Sequence, residues 1–234
     1  MGLLALDSGQ ADIMIKGLFS YELFGYTFWI TTTHIGMLLI DAVIIIFAIV
    51  AGRRMKKAEM VPKGLQNVIE LITEMLGSMV GDNMKKPKKF INYIGTIFIF
   101  ILLCNLSGLF GLRAPTADFG VTLGLGVITF ILIQYNGIKS NKFGHFKSLF
   151  EPIFILFPIN LIGEIANPIS ISLRLFANLL AGTLIMALWY GVMPWLVVKL
   201  GVPAFLHAYL DVLSGCIQTY VFCMLTMLYV DDKM

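Results

Sequence analysis

Charge is scarce in this chain. Its 234 residues hold 17 Lys and Arg and 14 Asp and Glu, 13% in all, about half the share of an ordinary soluble domain. That excludes a sizeable water-soluble fold. Three cysteines, Cys104, Cys216 and Cys223, stand in apolar stretches with no CxxC pair and no histidine at ligand spacing. They exclude a disulfide framework or metal cluster and read as small buried apolar side chains. No HExxH pair, GxSxG elbow or catalytic Cys/His pair occurs, so a membrane-enzyme reading has no motif to rest on. Asp7 and Asp12 stand where a secretory leader would carry positive charge, and no cleaved leader is expected. Internal repeats and low-complexity tracts are also missing.

What is there is apolar. Hydrophobic residues make up 58% and mean hydropathy is +0.87, enough for five or six membrane-embedded segments of about 20 residues each. The net charge of +3 matters less than its distribution. Arg53, Arg54, Lys56, Lys57 and Lys63, then Lys85, Lys86, Lys88 and Lys89, then Lys139, Lys142 and Lys147, with Lys233 near the end, form short clusters flanking apolar runs. Such clusters mark cytoplasmic loops, and they lack the continuous basic face that a nucleic-acid partner requires. The segments expected outside carry only Lys16, Arg113 and Lys199. The expected topology is an external amino terminus and a cytoplasmic carboxyl terminus.

The expected fold is an all-α membrane protein with about five membrane-embedded helices, one amphipathic helix and a long tilted helical hairpin at the C-terminal end. Residues 1–27 read as an external arm and 28–52 as the first span, closed by Arg53 and Arg54. Over 64–84, Leu65, Val68, Ile69, Ile72, Leu76 and Met79 share a helical face while Glu70, Glu74 and Asp82 fall elsewhere. This is an amphipathic helix packed on its neighbours rather than a span. Residues 90–137 hold the second and third spans, joined by an external loop at 113–120. The stretch 149–196 would reach about 70 Å as one helix against a hydrocarbon core of about 30 Å. It must bend, tilt strongly or break, and Pro152, Pro158 and Pro168 offer the breaks. After an external turn at 193–203, a last helix of 204–230 returns, so 149–230 forms the hairpin.

Polar residues inside this hairpin are the candidate site. Arg174 lies far from either end of its apolar run, where a cation costs about 2.5–3.5 kcal/mol on insertion scales. Asn178 follows one turn later, with the small residues Ser170, Ser172, Ala177, Ala181 and Gly182 around the pair. On the last helix His207, Asp211, Ser214 and Gln218 follow at spacings of four, three and four, one polar stripe on an apolar helix. Counting outward from the turn, Arg174 and Gln218 reach comparable depths, so the two can face each other. Asn160, Glu164 and Asn167 form a second stripe leading toward Arg174. His34 and Asp41 are a weaker case of the same kind in the first span. The bland alternatives stay open: a tight helix interface for Arg174, an interfacial hydrogen bond for His207, a structural pair for Asp211 and Gln218, and proximity to an inner loop for Glu164.

The runs Ser172–Gly182 (SLRLFANLLAG), Gln218–Thr226 (QTYVFCMLT) and Ala114–Thr122 (APTADFGVT) together resemble subunit a of the bacterial F-type ATP synthase, over nearly the whole chain from about residue 28. The resemblance implies a non-catalytic stator subunit in the bacterial cell membrane. It would work against a ring of c subunits that each carry an ion-binding carboxylate, with the b-subunit stalk and the rest of the complex as further partners. Arg174 takes the place of the family's essential arginine, and Asn178 and Gln218 match its polar neighbours. Two departures are visible: Thr183 stands where some members have glutamate, and Asp211 where some have histidine or glutamate. The outer acidic relay is thereby expected on Asp211, with His207, Ser214 and Glu164 as further ion-path residues. No cofactor and no resident metal are implied; protons or transient sodium ions are the cargo. A stand-alone transporter or channel also fits intramembrane charges and broken helices, though it would favour a repeat.

Overall fold

The computed structural model describes residues 17–23, 26–56, 63–110, 114–141, 157–192 and 196–233. Expectations resting on residues 1–16, Lys57, Arg113, Lys142, Lys147, Pro152 and the first three residues of the turn at 193–203 lie outside these; the remainder of that turn, 196–203, is helical, so the last helical arm begins earlier than 204. The protein is almost wholly helical. Among the described residues five helices, Thr32–Met55, Pro87–Phe110, Phe119–Ser140, Phe157–Trp189 and Ala204–Asp232, are long and apolar enough to cross a membrane.

A short antiparallel hairpin opens the described chain, β1 (Gly17–Leu23) paired with β2 (Tyr26–Thr31). Its β-branched and aromatic residues suit strands, so part of the expected arm is a β-ribbon, and the first helix begins a few residues later than the apolar run suggests. That helix, α1 (Thr32–Met55), is capped by His34, whose Nδ1 lies 2.8 Å from Thr31 Oγ1 and accepts the Thr31 N–H at 3.4 Å. His34 is thus a capping residue. Arg53 and Arg54 fill the last turn, where cations oppose the negative helix end.

The amphipathic helix α2 (Leu65–Asn83) buries Ile69, Leu76 and Val80 and packs against α3 (Pro87–Leu106), whose first residue is proline as helix starts favour. Leu65, Val68, Leu71 and Met75 are left exposed on α2. The apolar surface therefore divides between the bundle and an outward face, as a helix lying at a membrane interface requires. After two single 3₁₀ turns, Ser107–Phe110 and Pro115–Ala117, come α4 (Phe119–Asn141) and the 36-residue α5 (Phe157–Val192).

α5 passes through Pro168 without breaking. At 1.5 Å per residue it is about 54 Å long, well over the hydrocarbon thickness, so it must cross obliquely. Pro158 sits in the first turn, where a missing N–H costs nothing. Around Pro168 the neighbouring helix gives way: a Cβ on Gly126 of α4 would lie 2.9 Å from the Pro168 carbonyl oxygen and 1.9 Å from Ser172 Oγ. Only glycine permits this approach. Ser172 Oγ in turn donates to the Pro168 carbonyl at 2.8 Å.

The returning arm consists of α6 (Leu196–His207), a π-helical segment Ala208–Leu213 and α7 (Ser214–Asp232). α7 is central: its Phe222, Cys223, Met227 and Val230 join Val80 and Met84, Phe90, Ile94 and Ile101 of α3, Ile133 of α4, and Ile171 and Leu175 of α5 in one buried core. Cys104 and Cys223 are free and buried, as expected of small apolar side chains.

Candidate functional site

Local packing decides which way each polar residue looks. On α5, Ile171, Leu175 and Leu179 are buried, and Phe176 meets Phe119 of α4 edge to face at 5.5 Å. These contacts turn Arg174 outward. It is exposed on the same side as Ser170, Ala177 and Ala181, and among the described residues it makes no hydrogen bond or ion pair. A guanidinium keeps its charge at any working pH, so a spanning helix offers here a permanent cation on a surface of small side chains.

Across the hairpin, Ser214 Oγ donates to Asn178 Oδ1 at 2.9 Å, joining α7 to α5 one turn from Arg174. Arg174 and Gln218 do not hydrogen-bond. Gln218 is 8% exposed and turns into the bundle, where its Nε2 has no partner. The expected facing pair is replaced by Asn178 with Ser214, because α5 presents Asn178, not Arg174, to α7.

The π segment explains the rest of the stripe. Its wider turn bonds the Ser214 N–H to the Tyr209 carbonyl, five residues back, which inserts one residue relative to an α-helix. His207 Nδ1 and Asp211 Oδ2 lie 2.5 Å apart, and Asp211 faces the 3₁₀ turn after α3, where a Cβ on Gly108 would be 3.7 Å from its carboxylate oxygen. His207, Asp211, Ser214 and Gln218 therefore do not share one line, since Asp211 looks toward α3 and Ser214 toward α5.

Glu164 stands apart. Its Oε2 accepts from Gln134 Nε2 at 2.9 Å and its Oε1 from Lys233 Nζ at 2.5 Å. Nearby, Asp231 Oδ1 accepts the Lys85 backbone N–H at 2.8 Å while its Oδ2 lies 3.4 Å from Lys85 Nζ, and Lys89 Nζ donates to Asn136 Oδ1 at 2.9 Å. This end of the bundle is closed by paired charges.

One group was not singled out by sequence reasoning. Asn105, 1% exposed, donates through Nδ2 to the Gly215 carbonyl and to Thr219 Oγ1, both at 3.0 Å, while its Oδ1 accepts from Thr116 Oγ1 at 2.9 Å. A Cβ on Gly215 would lie 3.1 Å from Asn105 Cβ, so this glycine sets the α3–α7 distance. Thr116 belongs to the APTADFG loop, which is folded in against Leu179 with Ala114 and Ala117. Asparagine in an apolar run followed by a proline-threonine turn was the available signal.

These features define a multi-pass membrane protein with an unpaired intramembrane cation and a buried polar path, the class that moves ions across a bilayer. Residues 35–231 match the family described as ATP synthase A chain. Over 196 residues the chain is 40% identical to the sodium-ion-specific ATP synthase subunit a of Propionigenium modestum, a match covering 76% of this chain and 66% of that protein. Over 178 residues it is 36% identical to ATP synthase subunit a of Moorella thermoacetica, with 75% and 79% covered. Over 227 residues it is 31% identical to that of Priestia megaterium, with 91% and 94% covered. The chain belongs to the ATP synthase subunit a family, the non-catalytic, ion-translocating membrane subunits of that complex. A stand-alone transporter is not favoured.

Proposed function

We propose that Arg174 faces the ion-binding carboxylates of a c-ring and separates two offset half-channels. The observation that carries this is the outward, unpartnered guanidinium in the middle of α5. Among the described residues no carboxylate satisfies it, and an unpaired cation at that depth is costly; a counter-ion from a second protein answers that cost. Ala177 and Ala181 beside it let a partner helix come close.

A ring carboxylate can enter lipid only when an ion neutralises it. Opposite Arg174 it is stable ionised, having released its ion to one side and not yet loaded from the other. The fixed positive charge repels any ion that would pass directly between the half-channels. Each ion crossing with the field gains about 2.3 kcal/mol per 100 mV, and the ring must turn for it to cross. Asp211, held by His207, serves as the relay of the outer half-channel, with Asn178, Ser214 and Gln218 leading to Arg174 and Glu164 on the inner side. The cargo is a proton or a sodium ion, the choice resting chiefly with ring ligands. The b-subunit stalk is the further membrane partner, and the site is a bacterial cell membrane with the amino terminus outside.

Arg174→Ala should leave the complex assembled and abolish ATP-driven pumping in inverted vesicles; near-normal pumping would refute the assignment. Topology is tested with an impermeant thiol reagent at Gly120→Cys and Ser140→Cys, both exposed positions at opposite ends of α4. The first should label from outside and the second from inside.

A further inference from the structure

Glu164 is held as a cation site is held. Its carboxylate is only 16% exposed, and both oxygens are occupied, one by an amide N–H and the other by the ammonium of Lys233, itself 24% exposed. Pro168, four residues on, supplies no N–H to the Glu164 carbonyl, which leaves that oxygen outside the helix ladder. Lys233 lies in the turn beyond α7 on a flexible four-carbon stem. The end of α7 does not depend on it, because Asp231 is bound independently to both the backbone N–H and the side chain of Lys85. An ammonium bears the same single charge as the ion this family moves.

We propose that Glu164 forms a binding site for a univalent cation at the inner mouth of the ion path and that Lys233 is its tethered occupant, which an ion arriving from the inner side displaces. Lys233 then acts as a built-in competitor that raises the ion concentration needed to load the path from within. This rests on the reading of Glu164 as an inner ion-path residue. A purely structural ion pair would behave differently: removing either partner would weaken the same contact, and both variants would change in the same direction.

The test uses the assembled complex in inverted vesicles, measuring the initial rate of ATP-driven pumping while the inner-side ion is varied. Sodium chloride is titrated at fixed pH in one series and pH at fixed sodium in another. Lys233→Met should lower the half-saturating concentration of the effective ion about fivefold, the change that losing a partly exposed ion pair would give. Glu164→Gln should raise it, and the double variant should match Glu164→Gln alone, because Lys233 acts only through Glu164. Lys233→Arg should resemble the parent. An unchanged half-saturation in Lys233→Met, or shifts in the same direction for both single variants, would overturn the proposal. If Arg174→Ala also pumped normally, the underlying reading would fall with it, whereas loss of pumping there with no Lys233 effect would remove the tethered competitor alone.

Discussion

Two polar regions of this bundle are built on opposite rules. At the end where α7 finishes, charge meets charge, Lys233 with Glu164 and Lys85 with Asp231, and the ammonium of Lys89 donates to the Asn136 amide oxygen. In the middle, among the described residues, Arg174 has no partner and the Gln218 amide nitrogen is buried without one. Folding alone disfavours both, since an orphaned buried donor such as the Gln218 amide costs about 1–3 kcal/mol and an unpaired cation within a spanning helix is costly as well. Their persistence beside a fully satisfied network at Asn105 shows that the scaffold can satisfy polar groups at the same depth. We propose that a second protein completes the structure at Arg174 and a passing ion at Gln218.

That contrast can be broken by substitution. The largest effect is expected at Arg174→Lys, which keeps a cation but loses the planar fork and the permanence of its charge; coupled synthesis should fail or nearly fail in assembled complex. Asp211→Asn comes next. Asparagine is nearly isosteric and preserves a hydrogen bond to His207, so assembly should survive while synthesis at fixed driving force falls by about tenfold or more. Asp211→Glu or an added Thr183→Glu should restore part of the rate, and a parental rate in Asp211→Asn would remove this carboxylate from the path. Asn105→Leu should act the other way round. It strands the Thr116 hydroxyl, while Thr219 keeps its bond to the Gly215 carbonyl, at a cost on the order of 2 kcal/mol, and should appear as lower thermal stability and yield before any change in rate per assembled complex. The smallest effect is expected at Asp231→Asn. Its lysine partner is 72% exposed, and such a pair contributes about 1 kcal/mol or less; a large loss of stability would show that the clasp is more than a peripheral contact.

The helix inventory and the place of Arg174 within a spanning helix were legible in the sequence because both follow from local composition: long apolar runs, basic stops and one cation where none should be. Relationships between helices were not. Periodicity at 3.6 residues placed His207, Asp211, Ser214 and Gln218 on one line, but the π turn shifts that register, and nothing in Ala208–Leu213 (AYLDVL) announces a wider turn. Depth counting brought Arg174 opposite Gln218, yet azimuth is set by the buried face of α5, which depends on Leu175 entering the common core and Phe176 meeting Phe119 on another helix. The proline at 168 promised a break that Gly126 forestalls from another helix. That Ala114–Ala117 of the loop 113–120 would be buried was not legible either, because it depends on Thr116 finding Asn105 on another helix. The β-ribbon before α1 was hidden in a segment too short and mixed to show alternation.

The six-residue π segment also makes chain length a functional quantity. The six π-helical residues turn about as far as five α-helical ones, so deleting one residue between Ala208 and Leu213 would let the segment relax to ordinary α-helix while all that follows keeps nearly its azimuth relative to His207. Gly215 would stay against Asn105 and Ser214 against Asn178, and only residues of the segment itself, Asp211 among them, would look elsewhere. A single-codon deletion there should therefore be tolerated in assembly far better than the same deletion within α7, which swings everything beyond it by about 100°; loss of assembly from the first deletion would show the wider turn itself to be structural.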